Sequence, residues 1–308
     1  MSSISRKDLY EWCKVPLRDL QHHPRLKIPL RVCKDSVEMG VLMARELIDQ
    51  VSENNEAGRN TRAIIPCGPN CWYAPFAQMV NRKKTSLKRL EVFHMDECLD
   101  WQGNELPLNH PYSFRGTMQK LFYDPIDPAL AVEPMCRHWL NGKNMDDIGR
   151  KIAAAPIDLT LGGWGQDGHV AYNQARRNPY SSLTLDELRN STIRIQENNV
   201  DTIIALAQRS FGGAYQFVPP MSVTLGMREC LSAKRVRLYS DTGPWKQTAL
   251  RIALFSAPTP EYPITLLQEH GDALITATAE TAAHPLADHP EWDFGLDGEA
   301  VAVHVYQE

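Results

Sequence analysis

An acid and an imidazole two residues apart, Asp167 and His169, sit in the segment Leu161-Gly162-Gly163-Trp164-Gly165-Gln166-Asp167-Gly168-His169-Val170-Ala171-Tyr172-Asn173. Histidine titrates near neutral pH and can move protons there. The glycines let the backbone turn sharply and approach a ligand closely. Taken alone, the segment fits a phosphate cradle, a catalytic loop or half of a metal site, and a plain turn fits it too. It is not a dinucleotide fingerprint, because the glycine spacing fails Gly-x-Gly-x-x-Gly. Two further clusters carry chemistry: Cys67-Gly68-Pro69-Asn70 and His94-Met95-Asp96-Glu97.

Each cluster follows an apolar run. Residues 157–161, 63–66 and 90–95 read as buried strands. Further strands are expected at 30–33, 221–226, 235–239 and 273–276, with a short one within 130–140. Helical spacing of apolar residues marks a helix through Val37, Val41, Leu42, Leu47 and Ile48, capped by Asp35 or Ser36. Others are expected after Asn70 and over 112–122, 146–155 and 244–255. Strands alternating with helices predict an α/β fold, a mostly parallel sheet with helices on both faces. In such a sheet, ligands sit outside the carboxyl ends of the strands, where all three clusters fall. The expected organisation is an N-terminal extension over 1–30, one α/β domain over 31–283 and a Pro- and acid-rich tail over 284–308.

The chain has 308 residues, 43% of them hydrophobic, and a formal net charge of -4. That is enough for a sizeable core and gives no electrostatic reason to expect nucleic acid. The cluster Arg82-Lys83-Lys84 reads as a solvated helix end. Residues 1–16 mix charges with Trp12 and Cys13 and do not read as a signal peptide, and no stretch has the apolar length to span a bilayer. The seven cysteines are scattered. Cys67 and Cys71 lack the second pair or nearby histidine of a zinc site, so reduced thiols in the cytoplasm are expected.

Taken together, the clusters resemble the glucosamine-6-phosphate deaminase/isomerase family, to which the 6-phosphogluconolactonases are related. The resemblance covers roughly residues 30–280. It is carried by His94-Met95-Asp96-Glu97, by His110-Pro111-Tyr112-Ser113-Phe114 and by residues 162–173. Val218-Pro219, Val223-Thr224-Leu225-Gly226 and Lys246 add to it. It implies a modified Rossmann-like sheet, a phosphorylated sugar as substrate and neither metal nor organic cofactor. The family opens the sugar ring, moves a proton between C2 and C1, and releases ammonia. Asp96 matches the enolising base, and a carboxylate suits that task. Asp167 and His169 match the pair assigned to ring opening, with Gln174 at the position of their partner. Arg209 and Lys246 match the phosphate-contacting cations, and a guanidinium fork with an ammonium makes a sensible dianion site. Gly68, Asn70, Glu97, Gly163 and Gly165 complete the expected substrate contacts. Singly, each residue has a structural reading: Asp96 as a helix cap, His169 as a buried histidine, the cations as surface charges.

The sequence departs from the family at two places. Its phosphate loop is Gly68-Pro69-Asn70-Cys71, where Pro69 removes one backbone donor and Asn70 offers an amide in place of a hydroxyl. Gln174 stands where the family has glutamate, so a neutral amide faces the imidazole. The segment between Gln174 and Arg209 is also longer than usual. An isomerase of another sugar phosphate, a lactonase-like hydrolase and a non-catalytic sugar-phosphate sensor are the alternatives. Homo-oligomerisation is left open.

Overall fold

A computed structural model describes residues 4–176 and 182–296; the sequence reading of residues 177–181 and of the tail beyond 296 lies outside them. Seven strands form one parallel sheet. They are β1 (Leu30–Cys33), β2 (Thr61–Ile65), β3 (Leu90–His94), β5 (Arg137–His138), β6 (Leu159–Gly162), β9 (Arg235–Ser240) and β10 (Ala273–Thr278), in the order β1-β10-β9-β6-β2-β3-β5. Apolar side chains fill both faces of the central strands, as parallel sheets require. Helices Ser36–Glu56 and Tyr73–Lys83 cover one face, and Met145–Ala153 and Gln247–Phe255 the other. The α/β architecture expected from the sequence is therefore present.

A second, antiparallel sheet was not expected. It joins β4 (Asp96–Leu99), β8 (Met221–Thr224) and β7 (Arg194–Glu197) in the order β4-β8-β7. The run 90–95 was read as one strand ending at Asp96-Glu97. The chain instead leaves the parallel sheet after His94, and Asp96 pairs with Thr224 of β8. β7 carries no apolar signal because its side chains alternate between half-buried and exposed.

Asp35 caps helix Ser36–Glu56, accepting from the Val37 and Glu38 N–H groups at 3.0 Å each. Of the expected stripe Leu47 and Ile48 are fully buried, while Met39, Met43 and Val51 complete the buried face and Val37 is 74% exposed. Methionines Met39 and Met43 pack into the same core, so a stripe drawn from Val, Leu and Ile alone missed the first half of the buried face. Residues before β1 join the same packing. Leu20 is fully buried in the core, and Trp12 stacks on Phe255 with ring centroids 6.5 Å apart. The Tyr10 hydroxyl donates to the Trp292 carbonyl at 2.9 Å, which ties the two ends of the described chain together.

Candidate active site

Four neighbouring strands, β9, β6, β2 and β3, end on the same edge of the sheet. The residues that follow them line one cavity of about 480 Å³. β2 delivers Cys67, Gly68, Pro69 and Asn70. Beyond β3 come Met95 and Asp96, beyond β6 come Gly163, Trp164 and His169, and Ser240 at the end of β9 is followed by Asp241, Thr242 and Lys246. Helix Val200–Ser210 adds Leu206 and Arg209 from above. The convergence follows from parallel strands all pointing the same way. Gly68 turns the chain at φ +123°, a conformation that side-chain-bearing residues rarely adopt.

The Asp167–His169 pair lies at one wall. Asp167 is 2% exposed, and its Oδ1 is 2.6 Å from His169 Nδ1. Burial would raise the Asp167 carboxyl, but the charge of His169 and its hydrogen bonds outweigh it and hold the group at about 2. An ionised carboxylate only accepts, so Nδ1 carries the hydrogen that bridges the pair, and Nε2 is left for the ligand. Gln174 stands behind the ring with Nε2 3.4 Å from His169 Nδ1. Its amide is held in place: Oε1 accepts from Asn199 N–H at 2.9 Å, and Nε2 donates to Thr202 Oγ1 at 2.6 Å.

Asp96 faces the cavity at the start of β4. Burial, then the neighbouring charge of Glu97, push its carboxyl up to about 7, with His169 opposing. A base that titrates near neutral pH can both take and return a proton there. Lys246 lines the same cavity. Its depth in the wall and repulsion by Arg209 push its ammonium down to about 8, against Asp241 and Asp167. Its Nζ lies 5.8 Å from the centroid of the Trp164 ring, in cation–π range. Arg209 is exposed at the rim.

Asp96, His169, Gly68, Asn70, Gly163, Arg209 and Lys246 are thus brought together around the cavity, with Asp167 and Gln174 behind the imidazole. Of the other two residues expected to contact substrate, Gly165 lines a smaller cavity that shares Trp164, His169, Arg209 and Lys246 with the first, and Glu97 is taken up by backbone N–H groups. The Glu97 carboxylate accepts from the backbone N–H groups of Phe114 and Arg115 at 2.8 Å each and from that of Cys98 at 3.0 Å. It anchors the start of helix Phe114–Met118 and does not line the cavity. Gly165 makes room: a Cβ there would lie 2.1 Å from His169 Cε1 and 2.6 Å from Asp167 Oδ1. His94, part of the quoted motif, is also structural. It stacks on Trp139 at 3.7 Å and meets the Tyr123 hydroxyl at 3.0 Å, and burial holds it neutral, down at about 3.

The sequence reading assigned no role to Tyr112, Trp164 or Asp241, all of which line the cavity. Asp241 had a signal, since it follows β9 as Asp96 follows β3. Among the described residues, no group of three His, Cys, Asp or Glu side chains is arranged to hold a metal ion, and no helix is long and apolar enough to cross a membrane.

A parallel sheet whose strand ends gather a buried carboxylate, an acid-held histidine and two cations around one cavity defines an α/β protein with a site suited to an anionic ligand. No family model matches the sequence. Curated relatives do. The glucosamine-6-phosphate deaminase of Caenorhabditis elegans is 31% identical over 243 residues, spanning 76% of this chain and 83% of the relative. That of Parabacteroides distasonis is 33% identical over 229 residues, spanning 71% and 77%. The chain belongs to the glucosamine-6-phosphate deaminase family. Solved structures agree on the fold. A monomeric glucosamine-6-phosphate deaminase superposes with a TM-score of 0.69 at 21% identity, over 82% of this chain and 98% of that one. A 6-phosphogluconolactonase from Trypanosoma cruzi reaches 0.58 at 17% identity, over 85% and 98%.

Proposed function

We propose that the protein converts glucosamine 6-phosphate, or a close relative of it, to the ketose phosphate with release of ammonia. The observation that carries this reading is one cavity lined by Asp96, His169, Arg209 and Lys246, in a chain related to deaminases along most of its length. Arg209 and Lys246 receive the phosphate. His169 Nε2 takes the proton of the anomeric hydroxyl and returns it to the ring oxygen, which opens the pyranose. The Nδ1–H bond to Asp167 steadies the charge that the ring gains meanwhile. Asp96 then removes the proton from C2 and delivers it to C1. As the C2 amine becomes an imine, one of its protons passes to the C1 oxygen; water then adds to the imine and ammonia leaves, so one water is consumed for each ammonia released. No step calls for a cofactor.

Pro69 and Asp241 at the anion end favour a second reading, the same chemistry on a different sugar phosphate. Pro69 gives no N–H to a phosphate, and Asp241 places a negative charge in the same wall. The seven free cysteines suit a reducing compartment, and we assign the enzyme to the cytoplasm. A turnover screen across hexosamine and hexose phosphates, with ammonia and ketose both monitored, tests the proposal. Ketose without ammonia makes the chain an isomerase, and binding without turnover makes it a sensor.

A further inference from the structure

The loop that leads into helix Phe114–Met118 reaches over the cavity mouth, where Tyr112 lines it. The Tyr112 hydroxyl lies 2.8 Å from Ser210 Oγ and 3.4 Å from the Leu206 carbonyl. Its ring meets Phe211 edge to face with centroids 5.5 Å apart. All three partners belong to, or directly follow, the last turn of helix Val200–Ser210, the turn that carries Arg209. Beyond Phe211 the chain turns through Gly212 and Gly213, at φ +58° and +91°, where a Cβ would meet nothing within 4 Å. The Gly213 N–H returns to the Ala207 carbonyl at 2.9 Å and the Phe211 ring meets Phe217 with centroids 6.1 Å apart, so the last turn of the helix is closed locally by the chain that directly follows it. Its start is held by Gln174 through Thr202 and Asn199. Tyr112 ties the other end to the loop before helix Phe114–Met118, a segment distant in sequence.

We infer that Tyr112 is a positioning residue for anion binding, its hydroxyl clamping the Arg209-bearing turn over the cavity. The clamp has a fixed base. Glu97, next to Asp96 on β4, grips the Phe114 and Arg115 N–H groups two and three residues after Tyr112. The strand that begins with the proton-transfer carboxylate thereby sets where the guanidinium sits. The inference rests on the reading of Arg209 as a cation that receives the substrate's phosphate.

Tyr112→Phe keeps the ring against Phe211 and removes both hydrogen bonds. Loss of two neutral bonds at a partly exposed site is expected to raise KM for glucosamine 6-phosphate, and Ki for inorganic phosphate, roughly five- to tenfold. Ser210→Ala shifts both in the same direction by less. The affinity for unphosphorylated glucosamine stays as in the unmodified protein. In an Arg209→Ala background, Tyr112→Phe adds nothing further, because the group it positions is gone. Unchanged phosphate affinity in Tyr112→Phe, alongside a clear loss in Arg209→Ala, overturns the clamp and leaves the reading of Arg209 intact. Equal losses for phosphorylated and unphosphorylated ligands also overturn it. Should Arg209→Ala itself leave phosphate binding unchanged, the reading of Arg209 fails and the clamp with it.

Discussion

Asp167 grips His169 from behind: its Oδ1 lies 2.6 Å from Nδ1, and Gln174 Nε2 approaches the same nitrogen at 3.4 Å. One carboxylate therefore does what the family's additional glutamate would share. Asp167→Asn leaves the shape intact but no longer fixes the Nδ1–H tautomer, and is expected to lower kcat roughly 10²–10⁴-fold. Adding Gln174→Glu to that variant returns an acceptor to the same nitrogen. Thr202 can turn its hydroxyl to donate to the new carboxylate, and Asn199 N–H already donates at that position. Partial recovery of kcat in the double variant is the expected outcome. No recovery would mean that the 3.4 Å approach carries no coupling.

Asp96→Asn removes the only oxygen base placed at the cavity by β4 and is expected to cut exchange of the substrate C2 proton with solvent by roughly 10²–10⁴-fold. Binding should change little, since the cations are untouched. Deuterium wash-in at C2, followed by mass spectrometry, checks it. Exchange at the unmodified rate would remove Asp96 from the mechanism.

The pH dependence follows from two groups. Asp96, raised to about 7, must be ionised to act, so kcat/KM climbs as pH rises through about 7. Lys246, lowered to about 8, must be protonated to hold phosphate, so kcat/KM falls as pH rises through about 8. A narrow bell between these limbs is expected, the acid limb belonging to the coupled Asp96–Glu97 pair. Lys246→Arg keeps its charge at high pH and should flatten the alkaline limb. A profile flat from pH 6 to 9 would contradict both assignments.

Arg209→Ala and Lys246→Ala each delete a charge-assisted contact to one dianion, about 1.5–3 kcal/mol. Both should weaken a phosphosugar much more than its unphosphorylated analogue. Calorimetric titration of the pair of ligands decides it, and equal losses would return these cations to a structural role.

What the sequence made legible were the strand ends. Apolar runs followed by Gly68-Pro69-Asn70, Asp96 and Gly163 through His169 pointed to one edge of a parallel sheet, and the cavity lies there. What stayed hidden were relationships that cross the chain. Glu97 had the right chemistry for a ligand contact, and only the fold brings Phe114 and Arg115 N–H to it, 17 and 18 residues on. The antiparallel sheet was invisible because β7 alternates half-buried and exposed residues and β4 continues directly from β3 with Met95 between them. Gly165 read as a close approach to ligand; it lines the smaller adjoining cavity, and only the fold shows that it also closes on the Asp167–His169 pair.

The central claim is that Asp96 and His169 together isomerise and deaminate a phosphorylated amino sugar. The direct measurement is incubation with glucosamine 6-phosphate in deuterated water, with ammonia, fructose 6-phosphate and deuterium in the ketose followed together. Ammonia and ketose formed in equal amounts, with deuterium entering at C1 and all three signals lost in Asp96→Asn, is the predicted result. Ammonia and ketose formed at an undiminished rate by Asp96→Asn, or neither formed by the unmodified protein, would contradict it.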